Sequence, residues 1–222
     1  MSLYEIEIKS LLGSKENADS LRHKISERYG KLVAQNNQLN HYFVVSDVNK
    51  FRESFEKFIP EDNKDAFAKI VNEGKNISVR TRDTDGEVKF VIKASIGDDS
   101  SSNGVSRMEF ESKMNMTLDD LDQALLDAGL EYQAKWSRER GEYKLNDVNI
   151  CIDKNAGYGH LAEFEKVVSE PNLVASTRQD LVGLMRESGV EELKQNRLER
   201  MFAHYNANWR DYYGTDKVFS IN

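Results

Sequence analysis

The sequence predicts an α+β fold: an eight-stranded antiparallel β-barrel with a charged lumen, surrounded by helices. Three observations predict it. Short alternating segments recur along the chain, beginning with Glu5-Ile6-Glu7-Ile8-Lys9 and returning at 78–82, 88–93, 107–111, 138–140, 150–153 and 163–165. Successive strand side chains point to opposite faces, so most of these segments place charges at i and i+2 on one face, usually with apolar residues between them. That polar face is almost wholly ionised, with seven carboxylates (Glu5, Glu7, Glu109, Glu111, Asp153, Glu163, Glu165) and a similar number of Lys and Arg. Carboxylates two apart on one strand repel, and they need basic partners or a divalent cation. Finally, every connection reads as a hairpin or a short helical excursion, which favours antiparallel pairing, and eight strands can close into a barrel without exposed edges.

The elements follow in order. Residues 2–10 form the first strand. Ser14 is an N-cap for a helix over 15–29, in which Leu21, Ile25 and Tyr29 share one face and Gly30 supplies the C-cap. Residues 31–46 read as a strand. Phe51, Phe55 and Phe58 then mark a helix that stops before Pro60, and a second helical piece covers 65–72. Asp85-Gly86 is a two-residue turn joining strands 77–84 and 87–94. The polar run 97–104 is a loop before a strand over 105–113. Thr117 opens a helix to about 128 in a capping-box pattern with Asp120. Strands over 131–143, 147–154 and 160–169 follow, then helices over 172–188 and 190–207, and a tail containing Trp209, Tyr212 and Tyr213.

Composition narrows the function classes. The 222-residue chain carries 31 basic and 38 acidic residues, a formal charge of -7, which argues against nucleic acid as a partner. A basic site within an acidic protein remains open, because the position of the charges decides. Cys151 is the only cysteine, which excludes an intramolecular disulfide or a cysteine-based zinc site and fits the reducing cytoplasm, the location expected. Neither a signal peptide nor an apolar run of membrane-spanning length is seen, so no membrane association is expected.

In sequence order, several segments resemble the CYTH superfamily, the triphosphate tunnel metalloenzymes. Glu5-Ile-Glu7-Ile-Lys9 resembles its ExExK signature. Val79-Arg80-Thr81-Arg82 and Phe90-Val-Ile-Lys93 resemble two basic strands, and Met108-Glu109-Phe110-Glu111 an acidic one. Arg138 and Arg140 before Tyr143 resemble a further basic strand. Asp153, Gly157-Tyr-Gly159 and Ala162-Glu163-Phe164-Glu165 resemble the closing segment. The resemblance implies an eight-stranded tunnel that binds a triphosphate with Mg2+ or Mn2+. It places the tunnel domain at 1–188, with a helical insertion at about 47–75 that is longer than in compact members, followed by a C-terminal helix and aromatic tail at 189–222. Gly-Tyr-Gly stands where Gly-Leu-Gly is usual.

A triphosphate carries about four negative charges, and basic donors with a metal are what hold it in a dry site. Lys9, Arg80, Arg82, Lys93, Arg138 and Arg140 are the substrate-binding candidates, with Arg suited to bidentate phosphate contact. Glu5, Glu7 and Glu165 are the first metal-ligand candidates, with Glu163 and Asp153 next; the alternative for these carboxylates is to neutralise the arginines. A Lys–Tyr pair serves as the base in some tunnel triphosphatases, which points to Lys9 with Tyr42. Tyr42 can equally be a core aromatic. The implied activity is metal-dependent hydrolysis of a triphosphate: inorganic tripolyphosphate, thiamine triphosphate or a nucleoside triphosphate. Class IV adenylyl cyclase, making cyclic AMP and pyrophosphate from ATP, shares every motif quoted. A non-catalytic nucleotide or polyphosphate-binding module is the third reading. The four histidines show no metal spacing, and the tail aromatics leave open a plug at one tunnel mouth or a homodimer contact.

Overall fold

The structure, a computed structural model, describes residues 4–95 and 107–221. The expected loop at 97–104 and the start of the strand expected at 105 lie outside the described residues. The strands are β1 (Tyr4–Gly13), β2 (Lys31–Val44), β3 (Lys75–Thr84), β4 (Glu87–Ser95), β5 (Arg107–Lys113), β6 (Glu131–Leu145), β7 (Val148–Asn155) and β8 (Gly159–Val168). The helices are α1 (Lys15–Glu27), α2 (Val48–Phe55), α3 (Lys64–Glu73), α4 (Leu118–Asp127), α5 (Val174–Glu187) and α6 (Gln195–Asn208). One eight-stranded sheet runs in the order β1-β8-β7-β6-β2-β3-β4-β5. The described ladders are antiparallel. The order leaves β1 and β5 as its end strands.

The chain divides into two compact units. The first lies within Met1–Asn37 and Ser137–Asn222, the second within Gln38–Ser100 and Arg107–Trp136. In the first unit, the apolar faces of β1 (Ile6, Ile8), β7 (Ile150, Ile152) and β8 (Phe164) are buried with Leu21 and Ile25 of α1 and Leu181 and Met185 of α5. In the second, Phe90 and Ile92 of β4 and Phe110 of β5 share a core with Leu121 and Leu125 of α4. The 47–75 insertion completes that second core. Phe51, Phe55 and Phe67 are fully buried, and the Phe55 ring lies 4.6 Å from that of Phe90. Burying each such ring contributes about 1.5–3 kcal/mol, so the insertion is a structural part of its unit.

Local chemistry sets the element ends. The Ser14 hydroxyl accepts from the Asn17 N–H at 3.3 Å, capping α1. Gly30 does not take the left-handed cap position; Tyr29 does, at φ 64°. Gly30 is required for another reason, since a Cβ there would lie 2.4 Å from Ile25 Cγ2. Asp85 and Gly86, at φ 49° and 91°, make the β3–β4 turn with Thr84 opposite Glu87. α6 starts at Gln195 rather than near 190, and Leu193 instead donates its N–H to the Lys9 carbonyl at 2.7 Å, tying this segment to β1.

The tail packs on its own unit. Phe219 donates its N–H to the Gly157 carbonyl at 2.8 Å, and its ring meets Tyr158 and Tyr212, each with centroids 5.2 Å apart. The tyrosine of Gly-Tyr-Gly is therefore the anchor for an aromatic tail, and Tyr212 is used within the chain. Gly159 beside it sits at φ 71°, where a Cβ would stand 2.6 Å from the Gly13 carbonyl oxygen. The left-handed conformation alone costs a non-glycine residue about 1–2 kcal/mol. Gly159→Ala is expected to lower Tm by about 5 °C or more, at about 2–4 °C per kcal/mol for a chain of this size. A melting curve superimposable on that of the parent would mean that the turn relaxes without cost.

Candidate active site

The polar sheet face of the first unit is built by register. Glu7 on β1 stands directly opposite Glu165 on β8, and Lys9 opposite Glu163. The row continues from Glu163 to Cys151 on β7 and Glu142 on β6, while Asp153 faces Arg140. Arg140 makes a two-pronged contact with Asp153, Nε to Oδ1 at 2.8 Å and Nη2 to Oδ2 at 2.7 Å, and the same Nη2 also donates to Glu163. Arg138 Nη1 reaches Asp153 Oδ2 at 3.1 Å. Lys9 pairs with Glu7 and lies 3.7 Å from Glu163. The group as a whole is a web of alternating charge around Asp153, which is 1% exposed.

Burial would raise the Glu163 carboxyl, but the charges of Arg140, Lys9 and Arg138 override it and hold the group far below the ordinary carboxylate value. Burial likewise disfavours a charged Arg140, and Glu163 and Asp153 more than compensate, which raises it well above its ordinary value. Cys151 has no such rescue. Burial, aided by Glu163 and Asp153 and only partly offset by Arg140, pushes its thiol up to about 12. The thiolate is the reactive form. The folded protein should therefore resist iodoacetamide at pH 8 for hours, and denaturant should release one equivalent of reactive thiol within minutes; rapid native labelling would contradict this environment.

A cavity of about 280 Å3 opens on this face, with Arg140, Glu142, Asn149, Cys151 and Glu165 in its lining.

The second unit carries a different charge balance. Among the described residues, in register on one face of β3, β4 and β5 stand Arg80, Arg82, Lys89, Lys93 and Lys113 against Glu87, Glu109 and Glu111. Lys89 Nζ reaches Glu111 at 2.7 Å and Arg82 reaches the same carboxylate at 3.4 Å. Glu109 lies 3.3 Å from Lys93 and 3.8 Å from Arg80. Burial would raise Glu111, but the hydrogen bond from Lys89 and the charge of Arg82 lower it. From β2, Tyr42 accepts a hydrogen bond from Arg80 Nη1 at 3.0 Å, and Asn40 accepts one from Arg82 Nε at 3.1 Å. Arg80 Nε is buried without a hydrogen-bond partner. A buried, charged donor without an acceptor is costly, and such a group is suited to an anion.

The model of the CYTH domain family matches residues 3–197. The chain belongs to the CYTH family. No curated protein matches this CYTH chain at a significant level. Among solved structures, a putative adenylate cyclase from Vibrio parahaemolyticus is 14% identical, with 91% of this chain and 99% of that one covered, at a TM-score of 0.62. The PH1819 protein from Pyrococcus horikoshii OT3 is 20% identical, with 90% and 99% covered, also at 0.62. A putative adenylyl cyclase from Hippeastrum, described as having a dominant triphosphatase activity, is 16% identical, with 90% and 96% covered, at 0.55. At these identities the likeness is one of fold.

The predicted site residues of this CYTH chain fall into two sets. Glu5, Glu7, Lys9, Arg138, Arg140, Asp153, Glu163 and Glu165 belong to the first unit, and Tyr42, Arg80, Arg82 and Lys93 to the second. Lys9 keeps company with carboxylates, and the Tyr42 hydroxyl accepts from Arg80. Tyr42 is on the charged face rather than in the apolar core. Sequence reasoning passed over Asn40, although its position two residues before Tyr42 puts it on the same face. Among the described residues, no three His, Cys, Asp or Glu side chains gather into a ready-made metal cage. Mg2+ takes one or two carboxylates and completes its shell with water and substrate phosphate. The facing pair Glu7 and Glu165, with Glu5 two residues along, offers such a donor set. No helix among the described residues is long and apolar enough to cross a membrane.

Proposed function

We propose that this chain is a metal-dependent hydrolase of triphosphates, acting on inorganic tripolyphosphate, thiamine triphosphate or a nucleoside triphosphate. The observation that carries the proposal is the excess of cations on the β3–β4–β5 face, with the buried Arg80 Nε lacking an acceptor. Membership of the CYTH family supports it. Arg80, Arg82 and Lys93, and in the first unit Lys9, Arg138 and Arg140, are assigned to phosphate oxygens. Glu5, Glu7 and Glu165 would hold Mg2+ or Mn2+, next to Glu163 and Asp153, which also fix the arginines. When bound, the ion neutralises phosphate charge and makes the phosphorus more open to attack. Proton transfer from the attacking water is assigned to Lys9 in its neutral form, its ammonium proton having passed to bulk solvent beforehand. Tyr42, holding Arg80, orients that guanidinium.

The test incubates purified protein and Mg2+ or Mn2+ with tripolyphosphate, thiamine triphosphate or ATP, and quantifies orthophosphate, pyrophosphate and cyclic AMP. Orthophosphate without cyclic AMP is the expected result and ranks the substrates. Cyclic AMP with matching pyrophosphate would replace the hydrolase with a cyclase. Tight binding without any product would leave a capture module.

A further inference from the structure

Behind the basic face of the second unit lies a buried polar cluster that none of the assignments above uses. Asp122, on the inward side of α4, is 2% exposed, as is His41 on β2. The Asp122 carboxylate meets His41 Nδ1 at 2.6 Å, accepts from the Thr81 hydroxyl at 2.6 Å and accepts from the Tyr132 hydroxyl at 2.7 Å. Lys135 Nζ stands 3.6 Å away. Burial opposes the charge on Asp122, but the hydrogen bonds from His41, Thr81 and Tyr132 outweigh it and lower the group below its ordinary value.

The cluster matters because of where its members sit in the chain. His41 and Thr81 are register partners across the β2–β3 ladder. His41 lies between Asn40 and Tyr42, and Thr81 between Arg80 and Arg82. Strand alternation turns those four flanking side chains to the other face, where they form the pairs Tyr42–Arg80 and Asn40–Arg82. One carboxylate thus grips, from behind, the two residues that separate both arginine pairs. We infer that Asp122 is a positioning residue for the phosphate site, holding β2 and β3 so that Arg80 and Arg82 are presented preformed to the anion. A rigid, prearranged guanidinium fork loses less freedom on binding, so loosening its support weakens affinity without touching the ligand.

This inference rests on the assignment of Arg80 and Arg82 to phosphate, and its test is a binding measurement that needs no turnover. Tripolyphosphate affinity is measured by calorimetry in EDTA for the parent, Asp122→Asn and Thr81→Val. Asp122→Asn keeps the shape but loses the charge, and Thr81→Val removes one donor from a site that still folds if the first variant does not. The expected result is about tenfold weaker binding for Asp122→Asn and about threefold for Thr81→Val, with no further loss when either is combined with the double change Arg80→Met and Arg82→Met. In turnover assays KM should rise with kcat nearly unchanged, because support of a phosphate contact common to ground and transition states is lost. Parent-like affinity in the folded variants would make Asp122 a core stabiliser only and overturn the inference. Failure of the parent itself to bind tripolyphosphate would overturn the phosphate assignment and this inference with it.

Discussion

Arg140→Met should cost this protein about 3 kcal/mol, at the lower end of the 3–5 kcal/mol typical when one partner of a buried ion pair is removed. The lower end applies because neither carboxylate is left wholly alone. Asp153 retains Arg138 at 3.1 Å, and Glu163 retains Lys9 at 3.7 Å. A loss of that size corresponds to a fall in Tm of roughly 6–12 °C. Methionine fills much of the volume, so a large deficit would come from the stranded charges rather than from a cavity.

The pH dependence separates those two origins. In the parent, Glu163 is depressed in the folded state by Arg140, Lys9 and Arg138 against the opposing effect of burial. A depressed carboxyl contributes stability that is present above its unfolded value, about 4.3, and is lost as pH falls toward the folded value. Removing Arg140 takes away most of that contribution and leaves burial to favour the protonated acid. The Tm gap between parent and variant should therefore be widest near pH 7.5 and narrow most below about pH 4.3, toward about pH 3, as measured by circular dichroism. A gap that stays constant across this range would show that the carboxylates do not depend on Arg140. Adding Asp153→Asn and Glu163→Gln to the variant should restore part of the lost Tm, since neutral amides do not need the guanidinium.

How far such a web can be read from sequence depends on what fixes each contact. Strand alternation has an unvarying period, so Glu5-Ile-Glu7-Ile-Lys9 and its echoes reveal one charged face with no knowledge of pairing. The hairpin at Asp85-Gly86 and the helix start at Ser14 were legible for a similar reason, because one or two residues determine the local geometry. Register is different. That Glu7 faces Glu165 while Lys9 faces Glu163 depends on how β1 slides along β8, and alternation alone leaves every shift of two residues equally acceptable. The division of the charges into an acidic-leaning set and a basic one was hidden for that reason. Asp122 left a signal that was passed over: it sits in the apolar series Leu118, Leu121 and Leu125, where a helix turns its face to the core. An acid in such a stripe needs buried donors, and here these come from distant β2 and β3 as well as nearby Tyr132. The start of α6 was misplaced by five residues because Val190–Lys194 has helix-compatible composition, while the tie from Leu193 to the Lys9 carbonyl is tertiary.

Glu7→Gln addresses the metal assignment directly, and the result depends on which of two partners Glu7 serves. If Glu7 holds Mg2+ or Mn2+, losing its charge should reduce kcat by about a hundredfold or more, equivalent to roughly 3 kcal/mol of transition-state stabilisation. Mn2+ affinity, followed by electron paramagnetic resonance, should fall in parallel. Tripolyphosphate affinity in EDTA should stay within about threefold of the parent, because the arginines remain. If Glu7 only neutralises Lys9, with which it pairs, the outcome reverses. Freeing Lys9 from a competing carboxylate would then strengthen metal-free tripolyphosphate binding and leave Mn2+ affinity unchanged. Glu165→Gln provides the control across the ladder, since register places it opposite Glu7 rather than opposite Lys9. A metal role for the facing pair requires both variants to lose Mn2+ affinity, whereas a lysine-neutralising role predicts an effect on polyphosphate binding for Glu7→Gln and little for Glu165→Gln.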